Sequence, residues 1–458
     1  MRALICAILG GAMFYLSQGL DDVWWLAWFA AAPLLWLAYR PIARRRLFGA
    51  AFLANACGQI YMVQTYGSVL PVPAMAMMVF GWAALFATAI LFAQASWLRL
   101  PPVATLVAFP AAWTAIEYGV SLISPHGSWG ALGYSQVSFP AAIQIASLFG
   151  LYAVTFMLCV FANALAMALC NAWRTASLGF ALCGAVLAFG ILRLMQPAAD
   201  TIKVAALSDW EGRLEATRTL ALDNTRAMAG HYASAVQAEA ERGARFIVIP
   251  ETALAADPAW RHRALAPLAH AARQGQISIT AGVILVKPWR NTAVTWLPDG
   301  SIHTYDKRHL LIPGEDKFTP GSNPGLLGQG HAVAICKDLD FPRTLRSDAA
   351  HGIRLMGVPA NDFVKDGWIH ARMAVMRGVE NGFAVVRAAF NGLLTVSDAQ
   401  GRILAEASTG AHGMTAIDSV VPLGPGPTLY TRIGDMFAWL CVGLTFGLAA
   451  MLLRNRSV

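Results

Sequence analysis

Eight stretches of the chain are mostly apolar over about the length of a membrane helix: residues 3–20, 24–39, 47–67, 73–98, 103–120, 142–170, 176–194 and 436–453. A helix needs roughly 20 such residues to cross a bilayer. Two of the eight are weaker, 24–39 because it is short and 47–67 because it carries Asn55, Gln59 and Gln64. Met1-Arg2 before the first stretch resembles the start of a signal peptide, but no small-x-small site precedes Asp21, so an uncleaved anchor is expected.

Between the seventh and eighth stretches the pattern changes. Residues 196–433 interleave short β-branched runs with amphipathic segments of helical period. Strands are predicted at 202–207, 246–249, 277–286, 293–297, 302–305, 332–335, 354–358 and 384–388, and helices at 215–242, 260–273, 344–351 and 368–381. That alternation, bounded by Pro and Gly, predicts an α/β sandwich. The expected organisation is a membrane domain of about seven helices over 1–195, an α/β domain over 196–433, and a last span with its tail over 434–458.

Composition agrees with a membrane protein. Hydrophobic residues make up 57% of the chain and charged residues 13%, where soluble domains carry about 25% charged. The net charge of +8 is concentrated beside the apolar stretches and forms no basic stripe, so nucleic acid is not an expected partner. In an eight-span topology Arg2, Arg40, Arg44, Arg45, Arg46, Arg99, Arg174, Arg454 and Arg456 fall on one side. The opposite connections, 21–23, 68–72 and 121–141, hold no Lys or Arg. The positive-inside rule then places the 196–433 insert outside the cytoplasm.

Of seven cysteines, only Cys336 lies in the insert. It ends the apolar run in HAVAICKDLDFP, where a strand gives way to a helix. Glu251 occupies a similar position in RFIVIPETALAADP, and Lys307 follows a predicted strand in YDKRHLLIPGED. Taken singly, these are a small buried hydrophobe, a helix cap and a solvated surface charge. Strand ends, however, are where α/β domains gather reacting groups.

In this order the three segments resemble the nitrilase (carbon–nitrogen hydrolase) superfamily, whose members use a Glu-Lys-Cys triad. With spans on both sides, the chain resembles most closely the bacterial apolipoprotein N-acyltransferase family. AAWTAIEYG and WGALGYSQ carry the resemblance in the membrane part. PETA, AICKD, NDFVKDGWIHARMAVMRGVENG and PTLYTRIGDMFAW carry it beyond. It implies a multi-span α-helical membrane domain plus an extracytoplasmic αββα nitrilase-like sandwich, in a bacterial inner membrane. Glu251 would be the general base, Lys307 the oxyanion partner and Cys336 the nucleophile. Glu315, Asp338 and Asn361 would be supporting residues. The implied reaction moves a fatty acyl group from a phospholipid, through a cysteine thioester, to the α-amino group of a diacylglyceryl-cysteine lipoprotein. Beyond the bilayer and these substrates no partner is implied, the chain acting as a monomer. No metal or other cofactor is expected, since neither paired His/Cys spacing nor a glycine-rich phosphate loop occurs.

Three positions depart from the pattern of those acyltransferases. Lys337 follows the cysteine where an aromatic residue is usual, and its ammonium is expected to favour the thiolate. Lys307 and Cys336 are only 29 positions apart (336 minus 307), and Ile249 replaces a tryptophan before Pro-Glu. A membrane-anchored amidase, an acyltransferase for another amine and a silent lipid- or lipoprotein-binding paralogue therefore stay open beside lipoprotein N-acylation. His370, Arg377 and Glu380 are read as one structural ion-pair set on a helix, and Glu117 as an anchor within a span.

Overall fold

The structure, a computed structural model, describes all residues except 68–69, 198–199, 212–219, 411–412 and 456–458. The chain divides into two compact units, Met1–Met195 with Ile433–Val458, and Gln196–Arg432.

In the first unit, five helices among the described residues are long and apolar enough to cross a membrane: Val72–Arg99, Pro102–Ile123, Leu151–Ala168, Trp173–Leu194 and Met436–Arg454. The other three expected spans are shorter or broken. Arg2–Gln18 has 17 residues. The stretch 24–39 becomes a 3-10 turn, Trp24–Trp28, and a seven-residue helix, Ala32–Ala38. The stretch 47–67 divides at Gln59 into Arg44–Gly58 and Ile60–Tyr66. Likewise the expected 142–170 span is cut at Gly150, whose φ of +77° suits glycine alone among common residues. Two four-residue helices precede that break.

Polar side chains hold this irregular backbone. Glu117 is buried and accepts hydrogen bonds from the Leu132 N–H at 2.9 Å and the Thr155 hydroxyl at 2.8 Å. It is the anchor read from the sequence, and it satisfies the backbone of the 3-10 turn Leu132–Gln136. Gln136 in that turn accepts from the Trp28 indole at 2.8 Å and donates to the Trp24 carbonyl at 2.9 Å.

The second unit holds two six-stranded sheets. The first runs β12-β1-β2-β3-β4-β5, with β1 Thr201–Asp209, β2 Phe246–Ala256, β3 Ser278–Leu285, β4 Arg290–Trp296, β5 Ile302–Asp306 and β12 Met414–Pro422. The second runs β11-β10-β9-β8-β7-β6, with β6 Leu326–Gly328, β7 His331–Val333, β8 Leu355–Asn361, β9 Ala384–Phe390, β10 Leu393–Ser397 and β11 Ile403–Ser408. In each, three parallel strands (β1 to β3, β7 to β9) are flanked by antiparallel ones.

Side-chain alternation along the strands builds the layers. Val204, Ala206, Phe246 and Val248 pack with Val333, Leu355 and Val386 of the other sheet. Their neighbours Leu207, Ile247 and Ile249 turn outward, onto Tyr232, Val236, Leu265 and Leu268 of the helices Leu222–Glu241 and Arg261–Gly275. Met356 and Val385 pack on Leu345 and Ala374 of the helices Pro342–Ala349 and Gly367–Asn381. The result is the expected αββα sandwich. The predicted helix at 215–242 begins partly outside the described residues and is seen as Leu222–Glu241. Strands β6, β10, β11 and β12 were not predicted.

Candidate active site

Glu251 lies within β2, a strand buried along all 11 residues. The pairing of β2 with β3 slips between Ile249 and Leu254, and Thr252 takes a φ of +55°. Such a bulge re-aims a side chain that a regular strand would send into the core. It also brings the two backbones together at Gly282, where a Cβ would lie 2.4 Å from the Glu251 Cα.

Lys307 follows β5, and its N–H donates to the Asn291 carbonyl at 2.8 Å, extending the β4–β5 ladder by one bond. Its side chain is 3% exposed. The ammonium donates to Glu251 Oε1 at 2.7 Å and to Glu315 Oε2 at 2.8 Å. The Glu315 carboxylate is fixed in turn by the Leu311 N–H at 2.7 Å. A second bridge between the two carboxylates was not foreseen: Asn291 Nδ2 donates to Glu251 Oε1 at 2.6 Å and to Glu315 Oε1 at 2.7 Å. In the sequence Asn291 looks like an edge residue beside a predicted strand, so only the strand pairing reveals it.

Cys336 opens the 3-10 turn Cys336–Asp340 at the end of the run from β7, with a φ of +42°. A non-glycine residue in this region is strained, and it persists where surrounding contacts fix it. Asp338 supplies those contacts. Its fully buried carboxylate accepts from the Ile335 N–H (3.0 Å), the Tyr305 hydroxyl (2.6 Å) and the N–H groups of Arg308 (3.2 Å) and His309 (2.9 Å). Asp338 thus ties the turn bearing Cys336 to the segment bearing Lys307. The Cys336 Sγ lies 3.8 Å from the Asn361 carbonyl at the end of β8. The structure therefore gathers Glu251, Lys307 and Glu315 directly, places Asn361 beside the thiol, and uses Asp338 as a tether.

Burial raises the pKa of Glu251, an effect that Lys307 opposes and Glu315 reinforces. For Lys307, burial favours the neutral amine, but Glu251, Cys336 and Glu315 outweigh it and hold the ammonium charged. Burial and the Glu251 carboxylate push the Cys336 thiol well up, against the smaller pull of Lys307. The resting group is therefore a thiol beside a carboxylate of raised proton affinity.

The structure places two further residues singled out in the sequence. The Lys337 ammonium is buried and paired with Asp340 at 3.2 Å. His370 does not join Arg377 and Glu380. Those two form their own buried pair at 2.7 Å, while His370 sits between Asp366 (3.1 Å) and Asp340 (3.6 Å). Asp362, next to Asn361, pairs with buried Arg387 at 2.5 Å.

Comparison with known proteins agrees with this architecture. The family model for the apolipoprotein N-acyltransferase N-terminal domain matches residues 10–165, and that for carbon-nitrogen hydrolase matches 217–421. An apolipoprotein N-acyltransferase of Geobacter metallireducens is 25% identical, the match covering 100% of this chain and 96% of that one. One from Vibrio cholerae is 26% identical over 98% of this chain and 97% of its own. Among solved structures, an amidase from Nesterenkonia sp. matches 52% of this chain and 95% of its own, at 21% identity and a TM-score of 0.39. A carbon-nitrogen hydrolase from Helicobacter pylori matches 53% and 95%, at 16% identity and a TM-score of 0.40. With both family models in the expected order and relatives matched from end to end, the chain carries an apolipoprotein N-acyltransferase N-terminal domain followed by a carbon-nitrogen hydrolase domain, and along its whole length it is similar to apolipoprotein N-acyltransferases.

Proposed function

We propose that this protein transfers a fatty acyl group from a phospholipid to the α-amino group of a diacylglyceryl-cysteine lipoprotein, through a thioester on Cys336. The observation that carries the chemistry is the buried Lys307 ammonium held by Glu251 and Glu315, with the Cys336 thiol within electrostatic reach of Lys307 and Glu251. A thiol whose pKa is pushed up needs a base, and Glu251 takes its proton as Sγ attacks the ester carbonyl. Two of the three N–H donors of Lys307 are spent on carboxylates, and the third serves the oxyanion with the backbone N–H after Cys336. Collapse of the tetrahedral adduct breaks the ester C–O bond, and Glu251 returns the proton to the leaving lysophospholipid oxygen. The lipoprotein amine then attacks the thioester. Glu251 accepts the amine proton, and Cys336 departs and is reprotonated.

The setting is a bacterial inner membrane, with the unit Gln196–Arg432 on the outer side. The one-sided arginine distribution supports that orientation. The test is expression in cells depleted of their own N-acyltransferase, followed by mass spectrometry of a lipoprotein amino terminus. An N-acylated α-amine is expected. An unmodified amine at good expression overturns the reaction, and an S-acyl adduct on Cys336 that yields only free fatty acid turns the reading toward a hydrolase.

A further inference from the structure

We propose that Asn291 is a positioning residue for this reaction, setting the two carboxylates so that Glu251 can act as the base. The inference rests on the triad reading above and extends it to a residue outside the triad.

The argument begins with hydrogen-bond inventory. Buried Glu251 and Lys307 and half-buried Glu315 bring two carboxylates and one ammonium together. Two like charges brought this close repel, and a single ammonium cannot offset both. A side-chain amide offers two N–H donors from one nitrogen. Asn291 spends one on each carboxylate, at 2.6 and 2.7 Å, and so forms a second, uncharged bridge parallel to that of Lys307. The amide orientation follows, since turning the oxygen toward two carboxylates would set three acceptors face to face.

That orientation has a cost. Asn291 is 1% exposed, and its Oδ1 has no hydrogen-bond partner among the described residues. An apolar residue would avoid the cost if shape alone mattered at this position. Asn291 is also well placed to hold register, because its own carbonyl accepts from the Lys307 N–H at 2.8 Å. Backbone and side chain of one residue thereby fix both the lysine and the base.

On Glu251 both hydrogen bonds fall on Oε1, and Oε2 makes none among the described residues. The clamp thus leaves one carboxylate oxygen for the proton. The charged or titratable groups acting on Glu251 are Lys307, Glu315 and Cys336.

The test uses full-length protein in detergent micelles containing phospholipid, with formation of the Cys336 acyl adduct followed by intact mass across pH. Asn291→Asp keeps the shape but removes both donors and adds a charge. The acidic limb of the acylation rate is expected to move up by about 1 pH unit or more, with the rate at neutral pH falling roughly 100-fold. The apparent KM for phospholipid should stay at the wild-type value. Asn291→Ala, which adds no charge, should move the limb in the same direction by less, and it carries the test should the aspartate variant fail to fold. A limb that stays in place in a variant melting like wild type overturns the proposal, as does a loss confined to KM. Cys336→Ser is measured in parallel. Full activity there sinks the triad itself, which separates that failure from the failure of Asn291.

Discussion

Gly282 and Glu251 meet across β2 and β3 at a distance that leaves no room for a side chain. A Cβ on Gly282 would lie 2.4 Å from the Glu251 Cα and 2.4 Å from the Pro250 carbonyl oxygen. These are backbone atoms, so no rotamer change relieves the clash. Gly282→Ala must push the bulge away and carry Glu251 with it. We expect about 1–3 kcal/mol of destabilisation. We also expect a roughly 100-fold loss of acylation rate from misplacement of Glu251, the proposed base. A thermal melt and a rate measurement check the two parts separately, and a variant with normal values in both would contradict the close approach.

Glu251 raises the proton affinity of the thiol it is proposed to deprotonate. Glu251→Gln removes that negative charge, so the thiolate fraction at a given pH rises while acyl transfer falls. Alkylation of Cys336 by iodoacetamide should therefore be faster in the variant than in the wild type at pH 7 to about 8. In the wild type the transfer rate should rise with pH through an acidic limb lying above the usual glutamate range of about 4.3. Unchanged or slower alkylation in the variant would count against the electrostatic reading.

Asp338 is the single acceptor for four donors from two segments. Asp338→Ala leaves buried N–H and O–H groups unpaired, at about 1–3 kcal/mol for each one that stays dry. The expected result is a protein that melts markedly lower and whose Cys336 alkylates more readily, because the strained turn can relax. Asp338→Asn, which keeps the shape and part of the acceptor capacity, should be intermediate.

His370 is held charged between Asp366 and Asp340, its pKa pushed up to about 10 by carboxylates that outweigh burial. Its folded value lies above the ordinary histidine value, near 6.5, so protonation favours the folded state. This stabilisation is fully present below about pH 6.5 and is lost as pH rises toward about 10. Melting temperatures taken from pH 6 to about 10 should fall more steeply for the wild type than for His370→Gln. Parallel slopes would remove His370 from the account.

The sequence made the sandwich legible where strands are buried on both faces and read as continuous apolar runs, as in β1 and β8. It failed at β11 and β12, whose residues alternate between partly buried and exposed and lack a continuous apolar run. Hydropathy reports an apolar environment and not a continuous helix. The 142–170 stretch is apolar because the unit buries it, while Gly150 breaks its backbone. At the site, Glu251, Lys307 and Cys336 were visible through neighbouring motifs. Asn291 was invisible because its partners lie 40 and 24 residues away.

The pairing of β12 with β1 joins residues 414–422 to residues 201–209. Glu251 and Lys307 belong to that sheet, whereas Cys336 and Asn361 belong to the other. A ribosome releasing this chain therefore delivers Glu251 and Lys307 first and Cys336 later, and it completes the edge beside β1 only near the end of the unit. Until Cys336 emerges, the proposed centre of a nascent chain is incomplete. The order of synthesis itself therefore separates the two halves of the proposed centre in time.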